Sequence, residues 1–109
     1  MRAVTRIILS ASALAGGAAA FAVLDAAFAA DYFNGREVYE LHCQSCHGFD
    51  GRSMDPGTPD FTRGESLFVP DGDLYRQIRD GVGAMPAYRG LLEDSEILDV
   101  IAYVRSLQQ

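Results

Sequence analysis

The chain has 109 residues, of which 15 are acidic and nine basic, which gives a formal net charge of −6 at pH 7. This acidic balance argues against binding to nucleic acid or to an anionic membrane surface, because both attract positively charged proteins. A chain of this length forms one small domain, which buries a limited apolar core and often needs a covalent staple or a cofactor.

Residues 1–29 have the three parts of a secretory signal peptide. Two arginines open the segment, residues 7–24 carry no charge, and Ala27-Phe28-Ala29 supplies the small residues at which a signal peptidase cleaves. An uncleaved membrane anchor is the alternative, but the apolar run is rich in Ala and Gly and, at about 18 residues, lies near the lower limit for a spanning helix. We therefore expect cleavage after Ala29, export to the bacterial periplasm, and no stable membrane insertion afterwards.

Residues 30–109 are expected to form one domain. The whole chain has a net charge of −6, and residues 1–29 carry two arginines and one aspartate, a net of +1. Removal of this segment leaves the domain with a net charge of −7. We expect a monomer that binds no nucleic acid.

The first predicted helix runs to about Leu41. Asn34 is its predicted N-cap, and Glu37 follows three residues later as the second half of a capping box. Phe33 and Val38 have the spacing of a hydrophobic staple around that cap. The helix leads directly into a stretch rich in cysteine and histidine.

A shorter helix is predicted after a middle region rich in Gly and Pro. It begins at Asp71 or Asp73. It ends at Gly81 or Gly83. The residues on its apolar side are Leu74, Tyr75 and Ile78.

The last predicted helix has the strongest periodicity. Its apolar residues follow the i, i+3, i+4, i+7 spacing of one buried face, namely Ile97, Val100, Ile101, Val104 and Leu107. The helix dipole favours acidic residues in a first turn. The acidic residues found there are Glu93, Asp94 and Glu96.

No segment alternates apolar and polar residues with hairpin turns, so the predicted fold class is all-α, with three main helices joined by long loops. So few helices leave little apolar surface to pack against. A large apolar group is missing from the polypeptide itself, which indicates a bulky cofactor.

All cysteines and histidines of the chain lie in the stretch HCQSCHG, at His42, Cys43, Cys46 and His47. Four chemistries use these residue types: a disulfide, a zinc site, a thiol redox centre and an attached haem. A disulfide here would close a very small loop and add little stability, and a thiol redox centre is usual in a thioredoxin-like βαβ pattern, which is absent. Zinc needs four ligands at tetrahedral angles, which two pairs of adjacent residues do not easily supply.

The spacing Cys43-x-x-Cys46-His47 is typical of c-type haem attachment. The two thiols form thioethers with the vinyl groups of one haem, and the histidine that follows becomes an axial ligand of the iron. In an exported chain without strands we favour this interpretation, with one haem c bound covalently through Cys43 and Cys46. His42 is then a helix-end residue near the haem edge.

Together with this motif, several residues make the chain similar to the class I c-type cytochromes over nearly all of residues 30–109. Gly35 and Tyr39 lie eight and four residues before Cys43, and the last helix carries Val100-Ile101-Ala102-Tyr103-Val104. In that family a glycine and an aromatic residue of the first helix meet the last helix. The resemblance implies a class I cytochrome c fold, with three main helices and long loops around one covalent haem, and a carrier of electrons rather than an enzyme.

The resemblance also implies the surroundings of His47. Its Nδ1–H needs a hydrogen-bond acceptor, which in the family is a proline carbonyl in the loop after the haem motif. Gly57-Thr58-Pro59-Asp60-Phe61 is similar to that loop, so Pro59 is the predicted acceptor and Pro56 the alternative. Phe61 is predicted to pack against the ring.

The sixth ligand of the iron is predicted to be Met85. It lies in Gly83-Ala84-Met85-Pro86-Ala87-Tyr88, between the shorter helix and the last, and a Met-Pro pair at that place is the family's distal loop. Met54 is the alternative, but it follows His47 by only seven residues, and the opposite haem face is awkward to reach from there. The candidate partners of a haem propionate are Arg52 and Arg63.

His/Met ligation fills both axial positions of the iron, so the predicted function is a one-electron carrier between Fe(III) and Fe(II). Transfer is expected through the haem edge near the two cysteines and Gln44, toward other redox proteins. Residues 59–65 and 98–103 are similar to small periplasmic cytochromes found alongside haem-cd nitrite reductases in denitrifying bacteria. A nitrite reductase, as electron acceptor or as an enzyme whose maturation the protein assists, is therefore the predicted partner. Another periplasmic dehydrogenase or a terminal oxidase is the alternative.

A gas-binding or weakly peroxidatic haem protein is the alternative from another functional class. It requires that Met85 dissociates easily or never binds. No histidine follows position 47 to serve as an acid–base group, which argues against catalysis but not against gas binding. Rapid binding of carbon monoxide by the reduced protein would support this alternative.

Overall fold

The computed structural model describes Ser12 and residues 29–109. The predicted signal segment, residues 1–29, lies almost wholly outside the described residues. Within them the elements are α1 (Tyr32–His42), α2 (Gln44–His47), a 3₁₀ turn (Phe61–Arg63), α3 (Asp71–Asp80) and α4 (Asp94–Ser106). This part of the chain has no β-strand beyond two isolated bridges, so the predicted all-α class with three main helices is confirmed. Between residues 29 and 109, no helix has the length and apolar character needed to cross a membrane.

The start of α1 differs from the prediction. Asp31 is the N-cap, and its Oδ1 accepts hydrogen bonds from the backbone N–H groups of Phe33 (2.9 Å) and Asn34 (3.1 Å). The predicted capping box of Asn34 and Glu37 is wrong, because the Asn34 side chain is engaged elsewhere. Its Nδ2 donates to Oδ2 of Asp99 at 2.7 Å, so it joins α1 to α4 instead of capping α1.

The predicted hydrophobic staple is also wrong. Because α1 begins at Tyr32, Phe33 lies inside its first turn and is 78% exposed, whereas Val38 is buried. The helix ends at His42, one residue beyond the predicted Leu41.

α1 and α4 cross at Gly35, the glycine that the family resemblance singles out. A Cβ atom at this position would lie 2.0 Å from the backbone oxygen of Asp99, so only glycine permits such a close approach. One turn further along α1, Tyr39 is fully buried, and its ring packs against that of Tyr103 with centroids 5.2 Å apart. The crossing holds the first and last helices in the arrangement that the resemblance implies.

α4 and α3 start close to the predicted positions. Glu93 is the N-cap of α4 and forms a capping box with Glu96, and the predicted buried face is confirmed from Ile97 to Val104. α3 starts at Asp71 and ends before Gly81, which takes a φ of 80°. These two helices form two sides of the interior next to the cysteine-rich stretch.

Candidate cofactor site

The stretch HCQSCHG turns sharply between α1 and α2. Cys43 joins the two helices, and its carbonyl accepts hydrogen bonds from the backbone N–H groups of Cys46 (3.2 Å) and His47 (3.0 Å). Gly48 ends α2 with a φ of 85°, a backbone conformation that favours glycine. This single turn places both cysteines and the histidine in the wall of one cavity.

Two cavities share Cys43, His47 and Met85 as wall residues. Their volumes are about 80 and 230 Å³, and both cavities are partly open to solvent. The wall of the first is mostly apolar and includes Leu67, Leu74, Ile78, Val100, Ile101 and Val104. The fold therefore brings the distant Met85 to the same space as the cysteine-rich turn.

His47 lies in apolar surroundings. Its ring is stacked on Phe61, with centroids 4.6 Å apart and an angle of 14° between the planes, as predicted for Phe61. Burial lowers the pKa of His47, and the Pro59 carbonyl, acting as a hydrogen-bond acceptor, opposes this with a smaller rise. Nδ1 of His47 is buried and forms no hydrogen bond in this structure. Pro59 supplies the nearby carbonyl that could accept one. A neutral imidazole is the form that binds a metal.

The loop that carries Met85 is compact. Val82 and Met85 exchange backbone hydrogen bonds, from Val82 N–H to the Met85 carbonyl (3.1 Å) and from Met85 N–H to the Val82 carbonyl (2.9 Å). Met54, the alternative ligand, is 76% exposed and lines neither cavity. The alternative acceptor Pro56 is also exposed and lines neither cavity.

The cysteine environment argues against a thiol redox centre. Burial raises the pKa of the Cys43 thiol to about 11, and the neighbouring Cys46 adds to the rise. A redox thiol reacts as the thiolate and needs a lowered pKa. Cys43 is therefore poorly suited to thiol exchange but is well placed in a cavity wall for attachment of a cofactor.

Comparisons with known proteins agree on one family. A family model described as cytochrome c oxidase, cbb3-type, subunit III matches residues 30–104. Cytochrome c6 of Pyropia yezoensis is 36% identical over 83 residues, which cover 73% of this chain and 74% of that protein. Cytochrome c6 of a Nostoc strain is 31% identical over 88 residues, which cover 77% and 78%. The chain belongs to the class I c-type cytochromes.

Solved structures support the same fold for this cytochrome. The KustC0563 c-type cytochrome aligns with a TM-score of 0.63 and 27% identity, covering 69% of this chain and 98% of that one. Cytochrome c6 of the diatom Phaeodactylum tricornutum aligns with a TM-score of 0.58 and 27% identity, covering 70% and 92%. The predicted cytochrome c fold is confirmed.

The cofactor of this cytochrome is one haem c, held covalently through cysteines, and Cys43 and Cys46 are the two cysteines of the chain. The described residues fit such a group, because the thiols and His47 share one turn beside a largely apolar cavity. When bound, the haem supplies an iron that takes up and gives back one electron. The protein is a cytochrome c6-like electron carrier and not an enzyme.

Four residues near the haem site of this cytochrome have roles that the sequence alone does not assign. The buried hydroxyl of Tyr39 donates to the Gly48 carbonyl at 2.6 Å, and burial raises the pKa of this phenol far above its usual value. The Tyr88 hydroxyl donates to the His42 carbonyl at 2.8 Å. Both tyrosines lie in the quoted motifs, but no pattern reveals where a hydroxyl points. The other two, Ser66 and Gln77, line the first cavity.

The position of Gln77 in the cavity wall could have been predicted from helical spacing. It follows Leu74 by three residues and precedes Ile78, so helical spacing places it on the apolar side of α3. For the propionate candidates the structure offers no such placement: Arg52 and Arg63 are exposed and line neither cavity. Their role stays a prediction.

Proposed function

We propose that this cytochrome is an exported one-electron carrier whose haem iron is bound by His47 on one face and by Met85 on the other. The observation that carries the proposal is the wall shared by the two cavities, in which both side chains accompany Cys43. Each ligand comes from a different part of the chain, one from α2 and one from the loop between α3 and α4. A haem attached at the cysteines would thus have a candidate ligand from each of these two parts of the chain.

The surroundings of His47 suit a permanent ligand. Stacking on Phe61 limits rotation of the imidazole, and burial lowers the pKa of His47, which favours the neutral ring. The Pro59 carbonyl stands ready to accept a hydrogen bond from Nδ1, which would fix the ring and increase its basicity toward a metal.

Methionine ligation explains why a carrier is favoured over a gas-binding protein. A bound thioether fills the position that an external molecule needs, and Met raises the reduction potential relative to a second histidine. The backbone bonds between Val82 and Met85 keep the loop in one compact shape. The residues around the iron therefore favour exchange of an electron without a change of ligands.

We also propose that residues 1–29 act as an export signal and that the carrier works in the periplasm. A basic start, an uncharged run over residues 7–24 and small residues at the end support this. Both cysteines of the chain lie in the haem-attachment motif, and haem attachment is compatible with export.

The electron partners we propose are redox proteins of the same compartment. The stretches at residues 59–65 and 98–103 support a haem-cd nitrite reductase, which remains a prediction. The oxidase named in the description of the matching family model supports a terminal oxidase instead. Rates of electron transfer from the reduced cytochrome to each purified enzyme would separate the two, since the true partner should react much faster than the other.

The first test of the proposed ligation is the absorption spectrum of the purified protein. We expect a low-spin ferrous spectrum, a weak far-red band of the methionine–iron bond in the ferric form, and slow reaction of the reduced protein with carbon monoxide. A high-spin spectrum without the far-red band, together with rapid carbon monoxide binding, would replace the carrier with the gas-binding alternative.

A further inference from the structure

Two tyrosine hydroxyls hold the two ends of the haem-attachment segment, residues 42–48. At one end the Tyr39 hydroxyl donates to the Gly48 carbonyl at 2.6 Å, and at the other end the Tyr88 hydroxyl donates to the His42 carbonyl at 2.8 Å. Tyr39 belongs to α1, so its bond is local. Tyr88 is 46 residues away from its partner, in the loop that carries the proposed ligand, so its bond joins two separate parts of the site.

The His42 carbonyl has a physical need for this donor. His42 is the last residue of α1, and the last carbonyls of a helix have no partner within the helix. Among the hydrogen bonds of residues 29–109, the Tyr88 hydroxyl is the donor that reaches it. The two rings also meet edge to face, with centroids 6.0 Å apart. Tyr88 therefore acts as a C-terminal cap for α1 that is supplied by a distant loop.

The rest of the Met85 loop is fastened to α3 and not to the attachment segment. The Tyr88 backbone N–H donates to the Ile78 carbonyl at 3.0 Å, near the end of α3. The reciprocal bonds of Val82 and Met85 lie within the loop itself. Tyr88 thus stands at a junction: its backbone is fixed to α3 and its hydroxyl to α1, while its ring lines the cavity shared with Met85 and the cysteines.

We propose that Tyr88 is a positioning residue that holds the Met85 loop against the haem-attachment segment through its hydroxyl bond to the His42 carbonyl. The inference rests on the proposed ligation of the iron by Met85. Without the hydroxyl, the loop keeps its attachment to α3 but separates more readily from the segment that carries the haem thiols. Met85 is then displaced more easily by an external ligand.

The test compares Tyr88→Phe with Tyr75→Phe in the holoprotein. Each variant removes one hydroxyl and keeps the ring, but the Tyr75 hydroxyl donates to Oδ1 of Asp94 at 2.7 Å, between α3 and α4, and Tyr75 lines neither cavity. Imidazole binding to the ferric protein measures displacement of Met85. One net hydrogen bond corresponds to roughly 2- to 10-fold in an equilibrium constant, so Tyr88→Phe should bind imidazole tighter by that factor. Tyr75→Phe should match the wild type, and equal affinity in all three proteins would overturn the proposal.

Hydrogen exchange separates this inference from the ligation on which it rests. Backbone amides of residues 43–48 and 82–88 should exchange faster in Tyr88→Phe than in Tyr75→Phe, because the bond joining the two segments is lost. If the wild type lacks the far-red methionine band, the ligation proposal fails and imidazole binding loses its meaning. Exchange then decides alone: faster exchange in both segments supports the positioning role, and unchanged exchange overturns it.

Discussion

At the scale of single residues, Met85 and Met54 offer a matched comparison within the described part of the chain. Met85 is half-buried and lines both cavities, whereas Met54 is 76% exposed and lines neither. We expect Met85→Ala to lower the reduction potential by on the order of 100 mV, a fraction of the range of about 0.8 V that axial ligands cover. The variant should also bind carbon monoxide rapidly when reduced, because a coordination position is opened.

Met54→Ala is the control for this prediction. It should keep the wild-type potential and the far-red ferric band, since an exposed thioether has no access to the iron. Redox titration of both variants gives the answer. An unchanged potential in Met85→Ala, with a lowered one in Met54→Ala, would move the ligand to Met54.

The surroundings of His47 favour the form of its side chain that binds a metal. Its lowered pKa arises from burial first, and the opposing effect of the Pro59 carbonyl is smaller. The stacked Phe61 adds no charge and no hydrogen bond, so its contribution is to exclude water and limit rotation. Protonation is thereby disfavoured at the ring that needs a free lone pair for iron.

At the scale of elements, the crossing of α1 and α4 depends on Gly35. Alanine there would place its Cβ 2.0 Å from the Asp99 backbone oxygen, so the two helices must move apart. We expect Gly35→Ala to lower the free energy of unfolding by on the order of 3 kcal/mol, the upper part of the usual range for overpacking. Denaturant unfolding followed by circular dichroism measures this loss.

Gly72→Ala is the matched control for Gly35. Gly72 also lies in a helix, but the nearest atom to its added Cβ is the end of the flexible Arg76 side chain at 3.9 Å. Alanine there should be neutral or should stabilise the protein by about 0.4–1 kcal/mol, because it restricts the unfolded chain. If both variants unfolded like the wild type, close contact at the crossing would not be a source of stability.

The helices show which sequence signals are decisive. The buried face of α4 was predictable because four of its apolar residues, Ile97, Val100, Ile101 and Val104, follow the spacing of one helical face, and packing then reinforces the pattern. The start of α1 was not, because Asp31 and Asn34 are both good caps and the choice between them depends on Asp99, 65 residues beyond Asn34. Local sequence shows which residues are suitable N-caps, but a tertiary hydrogen bond determines which of them caps the helix.

The site divides in the same way. The proximity of Cys43, Cys46 and His47 was predictable from their spacing, since one helical turn brings them together. That Met85 reaches the same cavities depends on how α3 and its following loop pack, and the family resemblance supplied this where spacing had no information. Neither residue spacing nor the family resemblance predicts the hydrogen bond of the Tyr88 hydroxyl, because a side chain makes it across 46 residues.

At the scale of the whole molecule, the core and the haem site are largely the same set of side chains. Of the eleven buried core residues within residues 29–109, seven also line the first cavity: Tyr39, Phe61, Leu67, Leu74, Val100, Ile101 and Val104. They come from α1, the 3₁₀ turn, α3, α4 and the loop before α3, so the cavity lies where these elements meet. A group that fills the cavity therefore supports all of these elements at once.

Loss of covalent attachment should consequently weaken the whole fold and not only the redox site. We expect Cys43→Ala and Cys46→Ala to give less folded holoprotein and weaker haem staining on a denaturing gel, because one thioether is lost and the cofactor completes the core. Ser45→Ala changes an exposed residue between the two cysteines and should leave both readouts at the wild-type level. Wild-type yield and staining in either cysteine variant would mean that its thiol does not hold the haem. Reduced staining with unchanged thermal stability would mean that the helices pack without the cofactor, since the cavity walls would then have collapsed onto one another.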